Sequence, residues 1–89
     1  MGILALTADE RVVTVVFGDA SFSVSLRDGR TITVPLAWYP KLVHGSIQQR
    51  NNWQISGGGY GIHWPDLDED LSTEGLLRGA PAPRVPTRP

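Results

Sequence analysis

Ser21-Phe22-Ser23-Val24-Ser25-Leu26-Arg27-Asp28-Gly29-Arg30-Thr31-Ile32-Thr33-Val34-Pro35-Leu36 decides the fold. Up to Leu26 the residues alternate, with Phe22, Val24 and Leu26 on one side and Ser21, Ser23 and Ser25 on the other. That period of two belongs to a strand with one packed and one wet face. Asp28-Gly29 interrupts the pattern with a dipeptide that accepts the positive φ angles of a tight hairpin turn. Alternation then resumes through Ile32, Val34 and Leu36, and Pro35, which has no N–H to give to a ladder, points to an edge or frayed strand. The stretch predicts two antiparallel strands near 21–26 and 30–35.

Upstream, Arg11-Val-Val-Thr-Val-Val-Phe17 is a β-branched run with Val13, Val15 and Phe17 on one side and Val12, Thr14 and Val16 on the other. It reads as a strand over 12–17, covered on both faces for part of its length. With the hairpin it completes a three-stranded antiparallel meander. Downstream the period changes. Pro40 suits the first turn of a helix ending near His44 and Gly45. Ser46 and Gln49 stand at capping-box spacing, so a second helical piece is expected from Ser46 to about Asn51 or Asn52. Trp53-Gln-Ile-Ser56 and Tyr60-Gly-Ile-His-Trp64 form a second hairpin around Gly57-Gly58-Gly59, with Trp53 and Ile55 inward. Asp68, Glu69 and Asp70 precede a last helix near 72–78, where acids complement the exposed N–H groups, and Gly79 stops it. The expectation is an α+β fold, a three-stranded antiparallel meander plus a second hairpin with short helices. It occupies one domain, residues 1–79 with a core of about 12–79, followed by a proline-rich, extended and solvated segment over 80–89.

Composition narrows the function. With 89 residues the chain is a single small domain near the margin of independent stability, so help from a partner is plausible. Cysteine is absent, which removes disulfides and thiolate chemistry. Only His44 and His63 are available as imidazole ligands, and no metal or cofactor is expected. Eight basic against nine acidic residues leave a net charge of -1, with no long-range attraction to a phosphate backbone, so direct nucleic-acid binding is not expected. The amino-terminal stretch meets charge at Asp9 too soon for a leader or a membrane span. A cytoplasmic protein is the default expectation.

The densest chemistry lies in Tyr60-Gly-Ile-His-Trp-Pro-Asp-Leu-Asp-Glu-Asp70. Asp66, Asp68 and Asp70 alternate as calcium-loop ligands do, but Leu71 and Leu77 stand where such a loop needs glycine and glutamate. His63 with Asp66 or Asp68 has the composition of a base and its orienting acid. No nucleophile accompanies them, because Ser46, Ser56 and Ser72 are accounted for by caps and turns. Trp38, Tyr39, Trp53, Tyr60 and Trp64 hold most of the aromatic area, and an uncovered one near Arg50 or Lys41 would make an interface anchor.

Leu26-x-Asp28-Gly29-Arg30, Pro35-Leu36-x-Trp38-Tyr39-Pro40-x-Leu42, Arg50-x-x-Trp53 and Gly59-x-Gly61-Ile62-His63-Trp64-Pro65-x-Leu67-Asp68-Glu69-Asp70 together resemble the bacterial domain-of-unknown-function family 2442. The resemblance covers about Val12 to Gly79. It implies a small α+β domain, alone or joined to a helix-turn-helix, with some standalone members beside a small partner in loci suspected to be toxin–antitoxin pairs. It implies no established reaction. The residues and the resemblance lead to a non-enzymatic interaction domain, an antitoxin-like neutraliser of a small basic protein partner. Its expected contact residues are Trp38, Tyr39, Arg50, His63, Trp64, Asp66, Asp68, Glu69 and Asp70. The alternatives are a small-molecule-binding or hydrolytic domain using His63 and the aspartates, or a transcriptional adaptor working through a DNA-binding partner.

Overall fold

The computed structural model describes residues 7–79. The readings of the first six residues and of the segment 80–89 lie outside the described residues. Two antiparallel three-stranded sheets make up the fold: β1 (Val12–Phe17), β2 (Ser21–Leu26) and β3 (Thr31–Pro35) in one, β4 (Gln54–Ser56), β5 (Gly61–Trp64) and β6 (Glu69–Ser72) in the other. Between them run a 3-10 turn over Leu36–Trp38 and the short helices α1 (Pro40–Val43) and α2 (Ile47–Asn51), and α3 (Thr73–Arg78) closes the chain. Among the described residues no helix is long and apolar enough to cross a membrane.

The β2–β3 hairpin follows its alternation. Phe22, Val24 and Leu26 are buried, Val34 faces Phe22, and Ile32 faces Val24. On the wet face the paired Ser23 and Thr33 hydroxyls meet at 2.8 Å. The turn uses three residues, Arg27 to Gly29. Leu26 N–H donates to the Arg30 carbonyl, Gly29 N–H donates to the Leu26 carbonyl, and Gly29 alone takes a left-handed φ of 97°.

β1 departs from the expectation of cover on both faces. A bulge between Val12 and Thr14 shifts the register, so Val12 and Val15 both point inward while Val13 (52 % exposed) and Val16 (61 %) face out. One extra residue on one strand flips every side chain beyond it to the other face.

The second sheet holds one strand more than a hairpin. Glu69–Ser72 pairs with β5, Trp64 opposite Glu69, His63 opposite Asp70 and Ile62 opposite Leu71. The acids expected just ahead of a helix therefore lie in a strand, and α3 begins after Ser72. The Ser72 hydroxyl caps it by accepting the Gly75 N–H at 3.0 Å, and Gly79 ends it at φ 74°. Ile55 shares the inner face with Ile62, as expected, but on an edge strand it stays 47 % exposed. Gly61 makes room for the Ser56 hydroxyl, which a Cβ there would meet at 2.7 Å and force to rotate.

The two sheets meet through aromatic edges. Trp64 stands edge-on to Phe22 and Phe17, with ring centres 6.4 Å apart in both pairs, and Phe22 meets Tyr39 at 5.7 Å. Leu36, Leu42, Ile62 and Leu76 fill the space around them.

Candidate functional site

The Tyr60–Asp70 stretch is divided by its strand period. Ile62 and Trp64 are fully buried and His63 faces the other way, so one segment contributes both core and surface. Beyond Trp64 the chain turns over α1 and α2. Leu67 N–H donates to the Trp64 carbonyl, and the Leu67 side chain packs so closely on Gly45 that a Cβ there would meet it at 2.8 Å. Lys41 Nζ donates to the Asp68 carbonyl at 2.7 Å, and Asn52 Nδ2 donates to Asp66 Oδ2 at 2.9 Å. Asp68 holds a left-handed φ of 50°, a conformation that Asp and Asn tolerate better than other side-chain-bearing residues.

Two of the expected anchors belong to the core. Trp64 has no exposed surface and gives its indole N–H to the Arg50 carbonyl at 2.9 Å, while Tyr39 is buried against Phe22. Burial, reinforced by the negative charge of Glu69, raises the Tyr39 phenol pKa. The large rings go inside because a domain of short elements needs their area to join its sheets. Trp38 is half-buried and packs against the core.

Arg50 is committed to structure: Nε donates to the Leu42 carbonyl at 2.7 Å and a terminal nitrogen to the Val43 carbonyl at 2.9 Å, closing the end of α1. Glu69 is buried and accepts the Asp70 N–H. His63 pairs with Asp70, Nδ1 to Oδ1 at 2.8 Å, not with Asp66 or Asp68. Asp66, Asp68 and Asp70 keep their place at the surface.

The structure also exposes apolar side chains that sequence reasoning left out. Ile47 is 74 % exposed at the first position of α2, and Val43 at the end of α1 is open as well. α2 buries no residue at all; a capping box holds it, Gln49 N–H to the Ser46 hydroxyl and Ser46 N–H to the Gln49 side chain. Such a short helix is not stable by itself. One signal was present in the sequence: Ile47 has no apolar companion at Arg50 or Asn51, where a helix facing a core would place one. Ile47, Arg50 and Asn51 line, with Phe17 and Asp19, a shallow groove of about 290 Å³. The turn 65–68 thus offers Asp66, Asp68 and Lys41, and Ile47 opens onto the neighbouring groove with Phe17 and Asp19.

Among the described residues no group of three or more His, Asp or Glu side chains is arranged to hold a metal ion. The perturbed carboxylates lie elsewhere. The Arg11 guanidinium holds Asp9 down to about 2, and Arg30 with the backbone N–H groups of Asp9 and Arg30 holds Asp28 well below the usual carboxylate range. These pairs tie the entry of β1 to the β2–β3 turn.

A family of proteins of unknown function (DUF2442) matches residues 12–82. The chain is also similar to the crystal structure of a protein of unknown function from Rhodospirillum rubrum, with 32 % sequence identity and a TM-score of 0.73 over 86 % of this chain and 95 % of that one. No curated protein matches. The chain belongs to the DUF2442 family.

Proposed function

We propose that this member of the DUF2442 family is a non-enzymatic protein-binding domain whose contact surface is built from α1, α2 and the turn between β5 and β6. The observation that carries the reading is α2 itself, a helix with no buried residue, pinned by its capping box and Arg50, that holds Ile47 out in solvent. α2 serves the core through the Arg50 backbone and side chain alone, and its one large apolar side chain, Ile47, is turned to solvent where a partner can cover it. Ile47 with Val43 supplies the apolar anchor, and Asp66, Asp68 and Asp70 set encounter rate and partner choice through charge. Those carboxylates suit a small basic protein. An antitoxin-like neutraliser of such a partner is the specific form we favour, on the strength of the family resemblance.

The test is amide exchange on the complex purified with its partner from the native host. Protection gained at 43–51 and 66–70, with residues 21–34 unchanged, supports the surface; protection confined to other elements refutes it. The His63–Asp70 bond favours a second reading, a hydrolytic site in which Asp70 orients the imidazole as a general base. His63→Ala separates the two, since it abolishes turnover of any substrate in the second reading and in the first leaves the Ile47 anchor in place, so that the complex still forms.

A further inference from the structure

On a separate set of residues, α3, Tyr60 and Glu10 enclose a groove of about 560 Å³. Its walls suit one kind of ligand. Tyr60 (51 % exposed) and Leu77 form an open aromatic and aliphatic floor. Glu10 and Glu74 bring two carboxylates to it against the single guanidinium of Arg78. Among the described residues both carboxylates are held by loose, exposed ion pairs, Glu74 to Arg78 at 3.5 Å and Glu10 to Arg30 at 3.6 Å. Exposed pairs of this kind contribute little and exchange partners readily. An aromatic floor with acids beside it is the chemistry that receives a proline-rich strand carrying arginines, because such a strand is already extended and loses little entropy on docking.

We infer that the groove takes the chain's own segment Pro83-Arg84-Val85-Pro86-Thr87-Arg88-Pro89. Ten residues follow Gly79, and the groove begins at the helix turn from which they emerge, since Leu77 and Arg78 line it. Reach is sufficient. α3 spans about 9 Å along its axis, and Arg84 to Arg88 in an extended polyproline conformation spans about 12 Å. Residues 80–83 allow for the reversal, and the contacts inferred are Arg84 and Arg88 with Glu74 and Glu10, and Val85 with Tyr60 and Leu77. The family match covers residues 12–82, which hold most of the groove, and the inferred ligand segment lies beyond it.

The absence of cysteine permits a direct test. A nitroxide attached to the full chain through Val85→Cys should erase most of the amide signal of Leu77, Glu74 and Tyr60 while leaving Ser23 and Thr33 intact. The loss should not depend on protein concentration. Arg84→Glu combined with Arg88→Glu, which changes no residue within 7–79, should restore the signals, and so should Glu74→Lys. Weak, even broadening over the whole surface would overturn the inference, as would strong broadening that ignores the arginine reversals. Broadening seen only between a labelled and an unlabelled copy would also overturn it, by giving the groove to a neighbour's segment.

Discussion

The two hairpin turns that carry acids use them in opposite ways. At the β2–β3 turn Asp28 accepts three donor contacts from the Arg30 side chain and the N–H groups of Asp9 and Arg30, and it is consumed in holding the turn and the entry to β1. Around the β5–β6 turn, among the described residues, Asp66 and, in β6, Asp70 each have one side-chain partner, Asn52 and His63, and Asp68 is held through its backbone carbonyl. A solitary acid beside glycine and arginine in a hairpin is structural. A run of acids at alternating positions is divided by the sheet, so Glu69 goes in and its neighbours remain outside. The same division sends Trp64 into the core beneath the acids, while Ile47 on α2 is the most exposed of several open apolar side chains.

The comparison breaks most visibly at Trp64. If the residue joins the sheets, Trp64→Ala should cost about 3–5 kcal/mol. That is a large share of the roughly 5–15 kcal/mol that holds small domains together. Urea unfolding measures it; a folded variant of unchanged midpoint would return Trp64 to the surface role that its residue type first suggested.

Next in size is the acid dependence of the first turn. Asp9 and Asp28 have folded pKa values below their unfolded ones, so their contribution is complete above about pH 4. It fades as the pH falls toward the folded value, about 2 for Asp9 and lower for Asp28. Asp28→Asn should lower the melting temperature at pH 7, and its deficit should shrink as acid removes the same interaction from the parent. A constant deficit between pH 7 and pH 2 would assign the effect to packing.

Smaller again is Ser46→Ala, which removes half of the capping box and should cost about 1 kcal/mol. Exchange at the amides of α2 should accelerate with it. Smallest is Asp68→Asn, which keeps the left-handed backbone without strain and should stay within about 0.5 kcal/mol of the parent in denaturant titration.

Legibility followed locality. The β2–β3 hairpin, the Ser46 capping box, the Ser72 cap and the Gly79 stop all depend on residues within four or five positions of one another, and each forms as its spacing predicts. The bulge in β1 carries no glycine or proline to mark it, because Val13 is extra only relative to β2. β6 reads Glu-Asp-Leu-Ser, a poor strand by propensity, and becomes one because β5 offers it an edge. Of the expected contact residues, Asp66, Asp68 and Asp70 could be recognised as surface from their type. Trp64, Tyr39 and Glu69 could not be recognised as interior, since their burial depends on which elements meet across the sheets.

Partner dissociation from the parent and from Ile47→Ser, at matched melting temperatures, tests the central claim most directly. Ile47→Ser should leave the melt unchanged and speed dissociation by about tenfold, the equivalent of about 1.4 kcal/mol for an anchor side chain. An Ile47→Ser protein that is equally stable and releases its partner at the parent's rate would contradict it.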